Sequence, residues 1–114
     1  MQQVTARQMQ ACIDACQKCH NVCLRAAFGH CLEMGGKHVE PGHFRLMLDC
    51  ADVCQSTANF MLRRSDFHDQ LCLDCATLCD YCAQSCAQLS GMTDCVEACR
   101  NCAESCHQMA VAMI

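Results

Sequence analysis

The sequence predicts an all-α protein: an antiparallel up-down-up-down four-helix bundle with a cysteine-lined core, in a single domain over residues 1–114. Three observations carry this. The 114-residue chain holds 16 cysteines but only five glycines and one proline. It therefore lacks the turn residues of a loop-rich disulfide scaffold, despite a cysteine content normally read as one. The cysteines recur at steps of three and four, the inward stripe of a bundle helix. Strong breakers fall in three places only: Gly35-Gly36 with Pro41-Gly42, then Ser65-Asp66, then Ser90-Gly91.

The first segment, about residues 4–33, carries Cys12, Cys16, Cys19 and Cys23, with Cys31 near the same face two turns on. Asp14, Gln17, Lys18 and Asn21 lie between them and form a polar face. The second segment, about 42–63, has Cys50 and Cys54 only, and Met47, Thr57 and Met61 complete its stripe. The third, about 66–89, carries Cys72, Cys75, Cys79, Cys82 and Cys86. Ser65 is its expected cap, and Asp66 and Asp69 favour the positive end of its dipole. The fourth, about 93–113, carries Cys95, Cys99, Cys102 and Cys106 and starts with Thr93, Asp94 and Glu97. Segments of roughly 20–30 residues make helices about 30–45 Å long. Short connections set neighbours antiparallel. That arrangement gathers Cys12, Cys72 and Cys106 at one end and Cys31, Cys50, Cys86 and Cys95 at the other, with a column of thiols between.

A buried cysteine is ordinarily a small hydrophobe. Sixteen on helical stripes are not, because Leu or Ala would pack as well without the oxidation hazard. Disulfides fit poorly too. Neighbours at i and i+4 have Cβ atoms about 5–6 Å apart, whereas a disulfide needs about 3.5–4.5 Å. A metal between two sulfurs spans the gap. Soft thiolates select Cu(I), Zn and Fe–S clusters. Structural zinc wants four tetrahedral ligands at a discrete site, yet here the thiols run continuously and the second helix supplies few. Cu(I) accepts two or three sulfurs, and the eight methionines add thioether ligands. The expected cofactor is multiple Cu(I) ions, on the order of 15 if each thiolate bridges two. The expected ligands are all 16 cysteines. A zinc or iron–sulfur protein and a thiol–disulfide redox protein are the alternatives.

The chain is not expected to be an enzyme: no convergent acid–base set stands out, and no single cysteine is set apart as an activated thiol. A net charge of −4 offers no footprint for nucleic acid. No apolar run approaches the roughly 20 residues of a membrane span. The start of the chain shows no basic region followed by an apolar stretch, so the expected location is the cytoplasm, where thiols stay reduced.

The runs CIDACQKCHNVC, CADVC, CDYCAQSC and CVEACRNCAESC resemble those of the cytosolic copper storage proteins, cysteine-rich four-helix bundles, over nearly the whole chain. The resemblance implies storage or buffering of many Cu(I) ions along the core, often in a homotetramer; a copper donor or acceptor protein is the expected protein partner. In one respect the chain departs from the family. Its members often carry a histidine cluster just before the fourth helix, where this sequence reads Ser90-Gly91-Met92-Thr93-Asp94.

The two ends read differently. Met9, Met61, Met109 and Met113 extend the stripes at one end and are read as an apolar plug, with a methionine-rich port as the alternative. At the other end His43, Met47, His38, Met34 and Met92 surround Cys31 near the Gly35-Gly36 loop, and these are the candidate metal-entry ligands. His20, His30, His68 and His107 are read as surface residues or caps.

Overall fold

Thr5 starts the first helix through a capping box. Its Oγ1 accepts from the Gln8 N–H at 3.0 Å, and its own N–H donates to Gln8 Oε1 at 2.8 Å, so two orphan donors are satisfied. The structure, a computed structural model, describes residues 4–112; Met113 lies outside them. Helix α1 (Ala6–Ala26) runs through a π-helical turn (Ala27–Cys31) into the one-turn α2 (Leu32–Met34). A 3-10 turn (Gly36–Val39) leads to α3 (Pro41–Leu62), followed by α4 (His68–Ala87) and α5 (Thr93–Ala112). No strand occurs among the described residues.

The π-turn has a geometric cause. Cys31 lies eight residues after Cys23, and at about 100° per residue a regular α-helix would carry it roughly 80° off the stripe. A turn with i→i+5 bonds rotates less per residue and brings Cys31 back into the core, fully buried.

Glu40 caps α3 by accepting from the Gly42 and His43 N–H groups, both at 3.0 Å, with Pro41 at the first helical position. The third long helix begins two residues later than the sequence indicates. Ser65 closes a local turn instead of capping: its Oγ accepts from Phe67 N–H at 3.1 Å, and its carbonyl accepts from His68 N–H at 3.2 Å. Gly91 precedes α5 at φ 73°, and a Cβ there would sit 2.6 Å from the His30 ring, so both conformation and space require glycine.

Helix α1 packs on α3 and α5, and α4 packs on the same two. The square closes with α5 against α1, giving a prism of 47 × 21 × 20 Å. Every cysteine is buried. The core between them is filled by small alanines, including Ala51, Ala58 and Ala76, by Ile13, and by Met47, Met61, Met92 and Met109. Each buried thiol contributes on the order of 1 kcal/mol as a small hydrophobe. Among the described residues no Lys, Arg, Asp or Glu is buried; the buried polar side chains are His38, His43, Thr57 and His68.

Candidate metal centre

The alternating three- and four-residue steps place each helix's sulfurs on the bundle axis, where they form a continuous lattice. Cys12, Cys72 and Cys106 make a trio, with sulfurs within 4.8 Å of one another. Four tetrads on the same criterion follow along the axis: Cys16, Cys75, Cys102 and Cys106; Cys54, Cys75, Cys79 and Cys102; Cys19, Cys50, Cys54 and Cys79; and Cys19, Cys23, Cys50 and Cys99. Cys82 and Cys86, 3.9 Å apart, continue the lattice.

The shortest contacts, Cys23–Cys99 and Cys54–Cys79, are 3.5 Å, well beyond a disulfide bond of about 2.05 Å. Within one helix, Cys19–Cys23 and Cys75–Cys79 stand at 3.9 Å. A metal with sulfur bonds of about 2.3 Å sets its sulfurs roughly 3.8–4.0 Å apart in trigonal or tetrahedral coordination. The thiols already stand at that spacing.

Cys50 is placed differently from the sequence expectation. It does not share the level of Cys31, Cys86 and Cys95 but lies one step inward, 3.7 Å from Cys79 and 4.0 Å from both Cys19 and Cys99. Met47, one turn earlier on α3, takes the outer level instead.

The thiols polarise one another. Cys86 is drawn down to about 4, first by the Cys82 thiol and then by Cys95. Cys95 is pushed up by its contacts with Cys23 and Cys86, and burial raises Cys31. Proton loss at one sulfur is thus stabilised by neighbouring S–H donors, which then hold their own protons more tightly.

The copper storage protein family model matches residues 5–111. The chain belongs to the copper storage protein family. A solved protein of Nitrosospira multiformis is 56% identical, with a TM-score of 0.93 over 94% of this chain and 98% of that one. The Cu(I)-bound copper storage protein BsCsp3 is 34% identical, with a TM-score of 0.83 over 90% of this chain and 98% of that one. A Bacillus subtilis relative described as an uncharacterized cysteine-rich protein is 36% identical over 69% of this chain and 72% of its own length.

In this member of the copper storage family the loop end is built from sulfur and imidazole. The Cys31 thiol donates to Met47 Sδ at 3.7 Å and to Met92 Sδ at 3.8 Å. His43 Nδ1 pairs with Ser85 Oγ at 2.7 Å, and its buried Nε2 has no partner. His38 and His30 both donate Nε2–H to the Ser90 carbonyl, at 2.9 and 3.0 Å, with their rings edge-to-face. These two histidines clamp the loop before α5. Met34 is half exposed and does not join the group.

The opposite end is not a simple apolar plug. A cavity of about 560 Å³ opens there, and Arg64, Asp66 and His68 line it together with Met9, Met61 and Leu62. Met109 is buried nearby, as the stripe requires. His68, expected at the surface or as a cap, is only 8% exposed. The available signal was its spacing: it lies four residues before Cys72, on the inward stripe. His20 donates Nδ1–H to the Ala51 carbonyl at 2.7 Å, and exposed His107 stands 3.4 Å from Asp80.

Proposed function

We propose that this chain stores or buffers Cu(I) in bulk, with the 16 cysteine thiolates holding many ions along the bundle axis. One observation carries the reading: the tetrads share Cys19, Cys50, Cys54, Cys75, Cys79 and Cys102 in a core where no Lys or Arg among the described residues is buried. Shared ligands mean bridging thiolates, not separate closed sites. Charge selects the ion. One Cu(I) per thiolate leaves the core neutral, whereas zinc with four thiolates carries two net negative charges into a medium that penalises them. Membership of the copper storage family and the Cu(I)-bound form of BsCsp3 support the same ion. The role is storage, not catalysis.

Entry is proposed at the loop end, through His43, Met47 and Met92 to Cys31, with Cys86 as the first readily ionised thiol inside. His38 and Met34 shape the rim of that entrance. A homo-oligomer, tetrameric as in the resembled family, is proposed; Leu73 and Tyr81, exposed two turns apart on α4, support a contact there. No described helix is long and apolar enough to cross a membrane, and a reducing cytoplasm would keep the thiols free for metal. The deciding experiment is anaerobic Cu(I) titration of the reduced protein, read by native mass spectrometry. Saturation at on the order of ten or more ions, with far fewer Zn(II), is expected. Saturation at a few ions of either metal overturns the storage reading.

A further inference from the structure

We propose that the end of the bundle remote from the Gly35–Gly36 loop holds its own soft-metal site, formed by His68 Nε2 and Met61 Sδ beside Cys72. The ligand it takes is a monovalent d10 ion, Cu(I) or its analogue Ag(I). The proposal rests on the storage reading above and adds a nitrogen ligand to a lattice otherwise built of sulfur.

The argument starts from a hydrogen bond. His68 Nδ1 lies 2.8 Å from the Ser65 carbonyl oxygen. A carbonyl only accepts, so Nδ1 carries a proton, and the tautomer this bond selects has its lone pair at Nε2. That Nε2 is buried and has no hydrogen-bond partner. An unsatisfied buried acceptor is destabilising, and a bound ion would remove that penalty. Orientation of an imidazole by a carbonyl on its far nitrogen is the usual support of a metal-binding histidine.

The surroundings match a soft ion. His68 and Met61 line the same cavity of about 560 Å³. The Cys72 thiol donates to Met61 Sδ at 3.9 Å and lies one turn beyond His68 on α4. Cys72 in turn belongs to the trio with Cys12 and Cys106 that begins the lattice. Imidazole and thioether thus line one cavity, with the Cys72 thiol behind the thioether, a donor set that suits Cu(I) over hard cations. Only two buried side-chain N or O atoms among the described residues lack a partner, His43 Nε2 and His68 Nε2, and they stand at opposite ends of the column. The column ends in an imidazole both ways.

The test uses the full reduced chain, titrated anaerobically with Ag(I) while two-bond 1H–15N spectra follow each imidazole. At full load the His68 Nε2 resonance is expected to leave the position of an unprotonated ring nitrogen, whereas His20, held on the Ala51 carbonyl, stays where it is. His68→Asn keeps an amide donor for the Ser65 carbonyl while removing Nε2, and Met61→Leu keeps the packing. Each is expected to lose one Cu(I) from the saturated mass spectrum. A fully loaded protein with an unmoved His68 Nε2, or variants with an undiminished load, overturns the site while leaving storage intact. A wild-type chain that binds only a few ions removes the storage reading and the site with it. The wild-type spectrum decides the matter even if a variant fails to fold.

Discussion

Cys54 on α3 and Cys79 on α4 hold their sulfurs 3.5 Å apart at the middle of the bundle, and each belongs to two of the four tetrads. Cys31 belongs to none of them and contacts methionine sulfur instead. Removing a shared ligand should cost more copper than removing a terminal one. Cys54→Ala is expected to lower the saturated Cu(I) load by more than Cys31→Ala does, measured by native mass spectrometry. It should also destabilise the metal-free protein by on the order of 1 kcal/mol in denaturant, since one sulfur leaves a packed core. Equal losses of copper would mean that the tetrads do not act as shared sites.

The metal-free, reduced protein should be helical, because the cysteine side chains already fill the core without metal and the Thr5 and Glu40 caps need none. Circular dichroism of the apo-protein tests this, and a random-coil spectrum would contradict it.

Alkali should destabilise that apo-protein. Cys31, Cys95 and most other thiols hold their protons above the ordinary thiol value of 9.0, so the folded chain keeps protons that the unfolded chain releases. Their contribution is fully present below about pH 9 and is lost as pH rises through the raised values. Thiols lowered in the fold, such as Cys86, are ionised in both states above pH 9 and do not change the balance there. Melting temperature should therefore fall between about pH 9 and pH 11 in the apo-protein and stay level in the copper-loaded one, where no thiol proton remains to be lost. A flat apo profile would refute the assignment.

Thr57 is fully buried on the α3 stripe between Cys54 and Met61, and its hydroxyl donates to the Val53 carbonyl at 2.6 Å. It occupies a stripe position on the long helix with fewest cysteines. Thr57→Cys should raise the saturated load by about one ion without loss of helicity. An unchanged load would show that the local lattice is already complete.

His43→Ala combined with Met47→Leu should slow uptake from a chelated Cu(I) donor severalfold while leaving the final load nearly unchanged. Met109→Leu, at the other end, should leave the rate alone. Stopped-flow transfer from a coloured chelate measures both. The reverse pattern would place the entrance at the His68 end.

The four helices and their inward faces were legible because a single residue type, repeated at helical spacing, marks each stripe. The same repetition marks the candidate ligands, and every cysteine on a stripe is buried. What escaped was set by the connections. Ser65 has the composition of a cap, but the chain reversal after α3, with Arg64 at φ 53°, draws its hydroxyl onto Phe67 and delays α4. The level of Cys50 depends on how the 3-10 turn seats α3 against α1, which the spacing within α3 does not reveal. His68 looked like a surface histidine because its burial comes from that same reversal folding over it.

The π-turn at Ala27–Cys31 has a last consequence. Along α1, α4 and α5 the sulfurs repeat every seven residues, as from Cys12 to Cys19 and from Cys79 to Cys86, and a heptad after Cys23 falls at residue 30, where His30 stands. The chain holds one residue more than the repeat requires, and the π-turn absorbs it within a single loop of backbone. Deleting Phe28 alone should therefore be tolerated: the segment would relax to regular α-helix, and the cysteine now numbered 31 would keep its place in the core. A one-residue insertion or deletion between Cys16 and Cys19 has no such reservoir and would turn every sulfur beyond it away from the axis. The molecule's tolerance to length change is thus confined to the turn after α1, where the cysteines are sparse.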